Sequence, residues 1–513
     1  MRKRLIVWTI LIALALGGIP WIHGAMDEKK DDVVIYEEVL SGNPASASGL
    51  AVKTLTHMDQ YLFWETTFRP GSKANAETVF TFEQGRRPYM FGAESQLRVT
   101  FAGGNFGYGG SFSMEEMINE TITAERTSFA SHAEGQIWKP VVEVAKRAPV
   151  GEEYTEVVKL KDYYEFYPMA MDVYVDDSGM EHPIWVQEFN TEDERILSEY
   201  FAVAIPEDIE LQIIIVKDEQ GNVIEIDSSY TEDTVRNHQY LYGDNFSAGK
   251  AVTEDGGYFI LSRMKNDPDS SYEVVLDSPR LEDDYGIYYV PFAEYVESGV
   301  IIEGYNPERK LDVSQLCNVF PMDDGVNALE LYYDTEEDQL ILLTEETGHL
   351  WATVIDQKTM KEVEKLDLGE FSDTEYIGDV VVRDDLFVVG IQDQFDETAV
   401  VQPKRMVLMV KENGQWELKI RSSMNWEGQE EDYPWFNMNE LTRLAWDGER
   451  LAIAQWERYR SSCDVYILIF EEDEMPYVGV YRRRDTSGGI YDYNRTIQSW
   501  SEENGLEAWW EKE

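Results

Sequence analysis

From Gly49 onward the apolar residues of the chain fall in short runs separated by acidic or glycine-containing corners. Val380-Val381-Val382, Leu386-Phe387-Val388-Val389 and Val407-Leu408-Met409-Val410 are too short and too β-branched for helices. One unit recurs: a strand, a tight acidic turn and a second apolar strand. Leu329 to Tyr333 turns through Asp334 to Asp338 into Leu340 to Leu343. Val380 to Val382 turns through Arg383-Asp384-Asp385 into Leu386 to Val389, and Leu441 to Trp446 turns through Asp447-Gly448-Glu449 into Leu451 to Ala454. Leu55 to Trp64 and Val252 to Leu261 fit the same template.

Each later unit is followed by a second hairpin: Leu350 to Val363, Met406 to Leu418 and Val465 to Val480, with an earlier copy at Leu211 to Ile224. Asn, Asp and Gly at the corners supply the positive φ that such turns need. Two hairpins make a four-stranded sheet, and the three C-terminal units recur at about 45–65 residues, near the repeat length of propeller blades. Val354-Ile355-Asp356, Thr359 and Lys361-Glu362-Val363 resemble the outer hairpin of quinoprotein-like or YVTN-like blades. On these residues the chain resembles irregular bacterial β-propeller proteins, mainly over its C-terminal half. The resemblance implies an all-β fold of about seven four-stranded blades, in which a strand near Val52 to His57 completes the last blade. Tandem β-sandwiches are the alternative. Between residues 86 and 250 the pattern weakens, and Ser113 with Glu116 reads as a capping box opening a short helix.

The N-terminus carries a different signal. Arg2-Lys3-Arg4 precedes Leu5 to Ile22, about 18 residues without a charge, spanning about 27 Å as a helix. The cations should stay cytoplasmic and the rest should be delivered outside. Residues 1–25 therefore read as a signal-anchor, giving a single-pass membrane protein, or as a cleaved signal peptide, giving a secreted one. Residues 26–48 read as a polar tether, 49–485 as the propeller-like extracytoplasmic domain and 486–513 as a tail.

Composition narrows the partners. Against 44 Lys+Arg stand 99 Asp+Glu, a formal net charge of −55. Phosphate binding needs a basic footprint, so nucleic acid is excluded as a partner, and the membrane should be met through the N-terminal helix only. With 43% hydrophobic and 13% aromatic residues the chain is built to fold. Its two cysteines, Cys317 and Cys463, lie too far apart for a C-x-x-C motif and read as buried free thiols or as one disulfide.

Catalytic motifs are not forthcoming. Gly103 to Gly110 follows a strand at Leu97 to Phe101 but fails G-x-G-x-x-G, with Phe106 in the middle glycine's place. Gly110-Ser111-Phe112-Ser113 lacks the second glycine of a nucleophile elbow. His57, His132, His182, His238 and His349 are scattered without H-E-x-x-H spacing. No cofactor is expected. Calcium is the one candidate ion, at Asp267-Pro268-Asp269-Ser270-Ser271, Glu282-Asp283-Asp284 or Asp323-Asp324-Gly325, although Tyr272 stands where a sharp-turn glycine belongs. The strongest candidate for binding is the link between two sheets, where Trp426, Tyr433, Trp435 and Phe436 lie among Glu430 and Asp432. Rings beside carboxylates suit sugars or cationic ligands. The expectation is a membrane-tethered, non-enzymatic binding protein of the cell envelope, recognising a protein, peptide or glycan. The alternatives are an envelope polysaccharide hydrolase and a sensory or accessory subunit of a membrane complex.

Overall fold

The computed structural model describes residues 33–58, 62–71, 76–82, 94–101, 118–119, 138–176, 184–185, 191–237, 248–253, 255–261, 285–294, 309–323, 325–334, 337–372, 374–383, 385–393, 403–423, 442–456, 465–485 and 506–512, with Gly18 and Gly24. They are mostly β and divide into two compact units, one from the residues up to Gly92 together with Thr374 onward, the other Ala93–Asp373. Strands are numbered along the chain.

The first unit holds three antiparallel sheets. One is β20 (Glu375–Arg383), β21 (Leu386–Asp393), β22 (Pro403–Glu412) and β23 (Gln415–Ser423), in that order. The second runs β24 (Arg443–Trp446), β25 (Arg450–Trp456), β26 (Val465–Glu471), β27 (Glu474–Asp485) and β1 (Val33–Gly42). The third runs β28 (Leu506–Trp510), β2 (Leu50–Met58), β3 (Leu62–Phe68) and β4 (Glu77–Phe82). The unbroken apolar runs of β25 and β26 have a physical cause, because their sheet is buried on both faces. Leu451, Ile453, Leu468 and Phe470 face Val388, Met406 and Leu408 of the β20–β23 sheet. Ala452, Ala454, Ile467 and Ile469 point the other way, into a core shared with Leu50, Val52, Phe68 and Leu506. Fully burying the larger of these side chains, the leucines, isoleucines and phenylalanines, is worth about 1.5–3 kcal/mol each.

The second unit holds β5 (Glu94–Phe101), β6 (Glu153–Lys159), β7 (Met169–Asp176), β8 (Ile184–Trp185), β9 (Glu210–Lys217) and β10 (Val223–Tyr230). There follow β11 (Ala248–Val252), β12 (Gly256–Leu261), β13 (Gly286–Glu294), β14 (Arg309–Leu311) and β15 (Cys317–Pro321). The last four strands are β16 (Asn327–Asp334), β17 (Gln339–Glu346), β18 (His349–Asp356) and β19 (Lys361–Glu370). The β16–β19 sheet follows chain order, and β11–β12–β13 carries both β14 and β15 on β13. The other two sheets, β5–β7–β8 and β10–β9–β6, are three-stranded and interleaved in sequence. Helices Trp138–Arg147 and Thr191–Phe201 join their common core, through Val141, Val144, Ala145, Leu197 and Phe201.

Every hairpin read from the sequence is present, and Asn413-Gly414 closes β22–β23 with φ of 55° and 80°. The Leu211 to Ile224 hairpin is real but is not half of a four-stranded sheet, since β9 pairs with β6 on its other side. Three stretches differ from expectation. The tether includes β1, paired along β27 from Val33 to Gly42. The tail includes β28, paired with β2 from Leu506 to Trp510. The Val52 to His57 strand accordingly sits with β3 and the C-terminal strand, while β1 is the N-terminal addition to the last sheet. Edge strands bury only part of their side chains, so neither carries a strong apolar signature.

Candidate functional site

Trp426, Glu430, Asp432, Tyr433, Trp435 and Phe436 lie outside the described residues, as do the Gly103 to Gly110 loop, Asp267 to Ser271 and Glu282 to Asp284. The Leu5 to Ile22 run lies outside them too, apart from Gly18; among the described residues no helix is long and apolar enough to cross a membrane. No group of three or more His, Cys, Asp or Glu among the described residues is placed to hold a metal ion. His349 faces Asp367, its Nδ1 3.2 Å from both carboxylate oxygens, at the start of β18. Cys317 departs from the expectation of a buried thiol, being free and exposed on strand β15, while Cys463 lies outside the described residues.

The first unit contains an open hollow of about 670 Å³ lined by Asn43, Ala45, Ser46, the turn Asp447 to Arg450, and Glu471. Its walls follow from local chemistry. Asn43 Oδ1 accepts from the Ala45 N–H at 3.1 Å and starts the tight turn Pro44–Ala47. Asp447 Oδ1 accepts from the backbone N–H groups of Glu449 and Arg450 at 3.0 and 2.7 Å, folding the corner between β24 and β25. Burial works against the Asp447 carboxylate, yet these bonds and Arg450 outweigh it and hold its pKa below the ordinary range.

Arg450 is the centre of this arrangement. Its Nε donates to Asp447 Oδ2 at 2.9 Å and its Nη1 to the Ser46 and Ser48 carbonyls at 2.8 and 3.2 Å. Its guanidinium lies 3.9 Å over the Trp510 ring. One side chain thus joins the β24–β25 corner, the turn after β1 and the C-terminal strand, so its donors are already committed.

A second polar cluster holds β1 itself. Glu37 Oε1 lies 2.8 and 2.9 Å from the Tyr477 and Tyr481 hydroxyls and accepts from the Gly71 N–H at 3.3 Å; the two hydroxyls also touch, so two protons are shared among three close oxygens. Burial drives both phenols well above the ordinary tyrosine value, and the Glu37 carboxylate adds to it. A phenol displaced upward stays protonated near neutral pH, where it serves as a hydrogen-bond donor and is a poor nucleophile. Arg69 closes the set with a bidentate bond to Glu511, just past β28. What these groups do chemically is fasten the two terminal strands. Asp447-Gly448-Glu449 was readable as a turn. The Arg450 partners at Ser46, Ser48 and Trp510 had no local signal.

No family model matches this chain. No curated protein matches it either. Among solved structures, the chain is similar to a periplasmic gluconolactonase of Pseudomonas aeruginosa at 9% identity, over 84% of this chain and 98% of that one, with a TM-score of 0.25. It is similar to TolB of Acinetobacter baumannii at 8% identity, over 86% and 83%, with a TM-score of 0.21. The β-propeller domain of the trilobed protease of Pyrococcus furiosus matches at 9% identity, over 52% and 62%, with a TM-score of 0.19. Scores this low carry no argument, and the fold rests on the sheets themselves.

Proposed function

We propose that this chain is an exported, non-enzymatic binding protein of the bacterial cell envelope, an irregular β-propeller held at the membrane by its Leu5 to Ile22 segment. Its ligand is a protein, peptide or glycan. The observation that carries the reading is the use made of the polar groups in the first unit. Arg450, Asp447, Glu37, Tyr477 and Tyr481 are spent on fastening strands, and the tyrosine pair is displaced away from reactivity. The Trp426 to Phe436 link is the proposed ligand surface, on the chemistry of its aromatic and acidic residues.

The test uses the full chain in its own membrane. Incubated with a panel of envelope polysaccharides and peptides, it should retain one of them without shortening it. Cleavage of any polysaccharide would instead establish the hydrolase alternative. On cells stripped of their wall, external protease should digest the body; complete protection would overturn export.

A further inference from the structure

The β10–β9–β6 sheet is used on one face only. Leu211, Ile213 and Ile215 of β9 turn inward with Val158 and Val223 and pack in the core that contains Val141, Val144 and Ala145 of helix Trp138–Arg147. The opposite face is open to water, although apolar residues stand on it. Val157 is 52% exposed and Ile224 57% exposed, while Ile214 and Val216 are half-buried between them. Register places them together: Ile214 lies opposite Thr155 on β6 and Asp227 on β10, and Val216 lies opposite Glu153 and Glu225. A bulge between Val223 and Glu225 leaves Ile224 as the extra residue, turned outward. Around this apolar strip the exposed acids are Glu153, Glu225 and Asp227; among the described residues of these three strands, Lys159 is the one cation on that face, at its far end opposite Glu210.

We infer that the outer face of the β6–β9–β10 sheet docks a basic protein segment, one that sets aliphatic side chains on Val157, Ile214, Val216 and Ile224 and lysines or arginines on Glu153, Glu225 and Asp227. Charge decides the occupant. A second copy would bring the same acids to the same place, in a chain of net charge −55. A nucleic acid or an anionic bilayer is repelled for the same reason. A cationic segment with apolar residues satisfies both the strip and its rim, and Val157 and Ile224 stand more than half exposed to receive it. The inference rests on reading the protein as a binding module and names the partner class of a second surface.

The probe is a synthetic twelve-residue peptide of alternating lysine and valine, followed by fluorescence anisotropy with the full chain in micelles at near-physiological salt. The wild-type chain should bind it, and a peptide with glutamate for lysine should not bind. Glu153→Lys with Asp227→Lys should weaken binding at least about tenfold, and Val157→Asn should weaken it several-fold without altering charge. Glu362→Lys with Glu370→Lys on β19 makes the same charge change elsewhere and should leave binding intact. All four positions of the charge variants and Val157 are exposed, and a melting curve on each variant confirms that it is folded. Equal weakening by both charge pairs, or an unaffected Val157→Asn, overturns the proposal. So does a wild-type dimer in sedimentation that Val157→Asn dissolves, which would make the face a self-interface. Polysaccharide retention and cleavage are read separately, so failure here is distinguishable from failure of the binding-protein reading.

Discussion

Tyr258, Tyr477 and Tyr481 are phenols that the fold has withdrawn from water. Burial pushes Tyr258 up to about 12, where its hydroxyl accepts from Gln357 at 2.7 Å. The Tyr477 and Tyr481 hydroxyls are displaced upward beside Glu37. Below the unfolded tyrosine pKa of about 10 both states hold their protons, and the stability from this burial is complete. Above it the unfolded chain ionises first, so stability falls as pH rises through 10 and keeps falling until the folded groups titrate. Melting temperature should therefore drop between about pH 9.5 and 11, and more gently in Tyr481→Phe. At neutral pH that substitution should cost about 1.5–3 kcal/mol, the usual worth of a hydrogen bond to a charged group; an unchanged urea midpoint would mean that Glu37 does not rely on it. Arg450→Lys should cost about 1–3 kcal/mol, since an ammonium cannot both stack on Trp510 and reach Asp447 and two carbonyls. Denaturant unfolding measures this directly.

The terminal strands show why elements with little hydrophobic signal still form. β1 pairs with β27 over nine register positions, and an ion pair joins Glu38 to Arg482. β1 adds to the edge of β27 by main-chain pairing and is anchored by Glu37 and by the partly buried Ile35 and Leu40, which pack against the cores on either side of the sheet. Its exit depends on Gly42, at φ 77°, where a methyl group would run into the carbonyl oxygen of Pro476. Gly42→Ala should cost more than about 1 kcal/mol and loosen the end of β1. Limited proteolysis should then cut between Val33 and Gly42 at protease levels that spare the wild type. Equal resistance would show that the backbone absorbs the methyl without releasing the strand.

Across the whole chain the dominant physical fact is charge. A net −55 makes the folded state repel itself. Its exposed ion pairs, such as Lys161–Glu207 and Lys358–Asp338, sit in water, contribute little and are weakened by salt. The long-range repulsion outweighs them, so raising salt from about 20 to 500 mM should raise the melting temperature. A fall would mean that the ion pairs dominate.

Local rules were sufficient wherever a feature closes on itself within a few residues. Asn413-Gly414 and Asp447-Gly448 announce their corners, and the apolar runs Leu451 to Ala454 and Val465 to Phe470 announce a sheet covered on both sides. The acidity that disfavours nucleic acid is equally plain from the residue count. Tertiary structure alone decided what depends on an edge or a surface made elsewhere in the chain. Val33 to Gly42 and Leu506 to Trp510 read as tether and tail because an edge strand is half-solvated and its partner lies some 440 residues away. The Leu211 to Ile224 hairpin carries the same pattern as its counterparts in four-stranded sheets. Its place beside β6, and the open acidic face that results, follow from which strand reached its free edge.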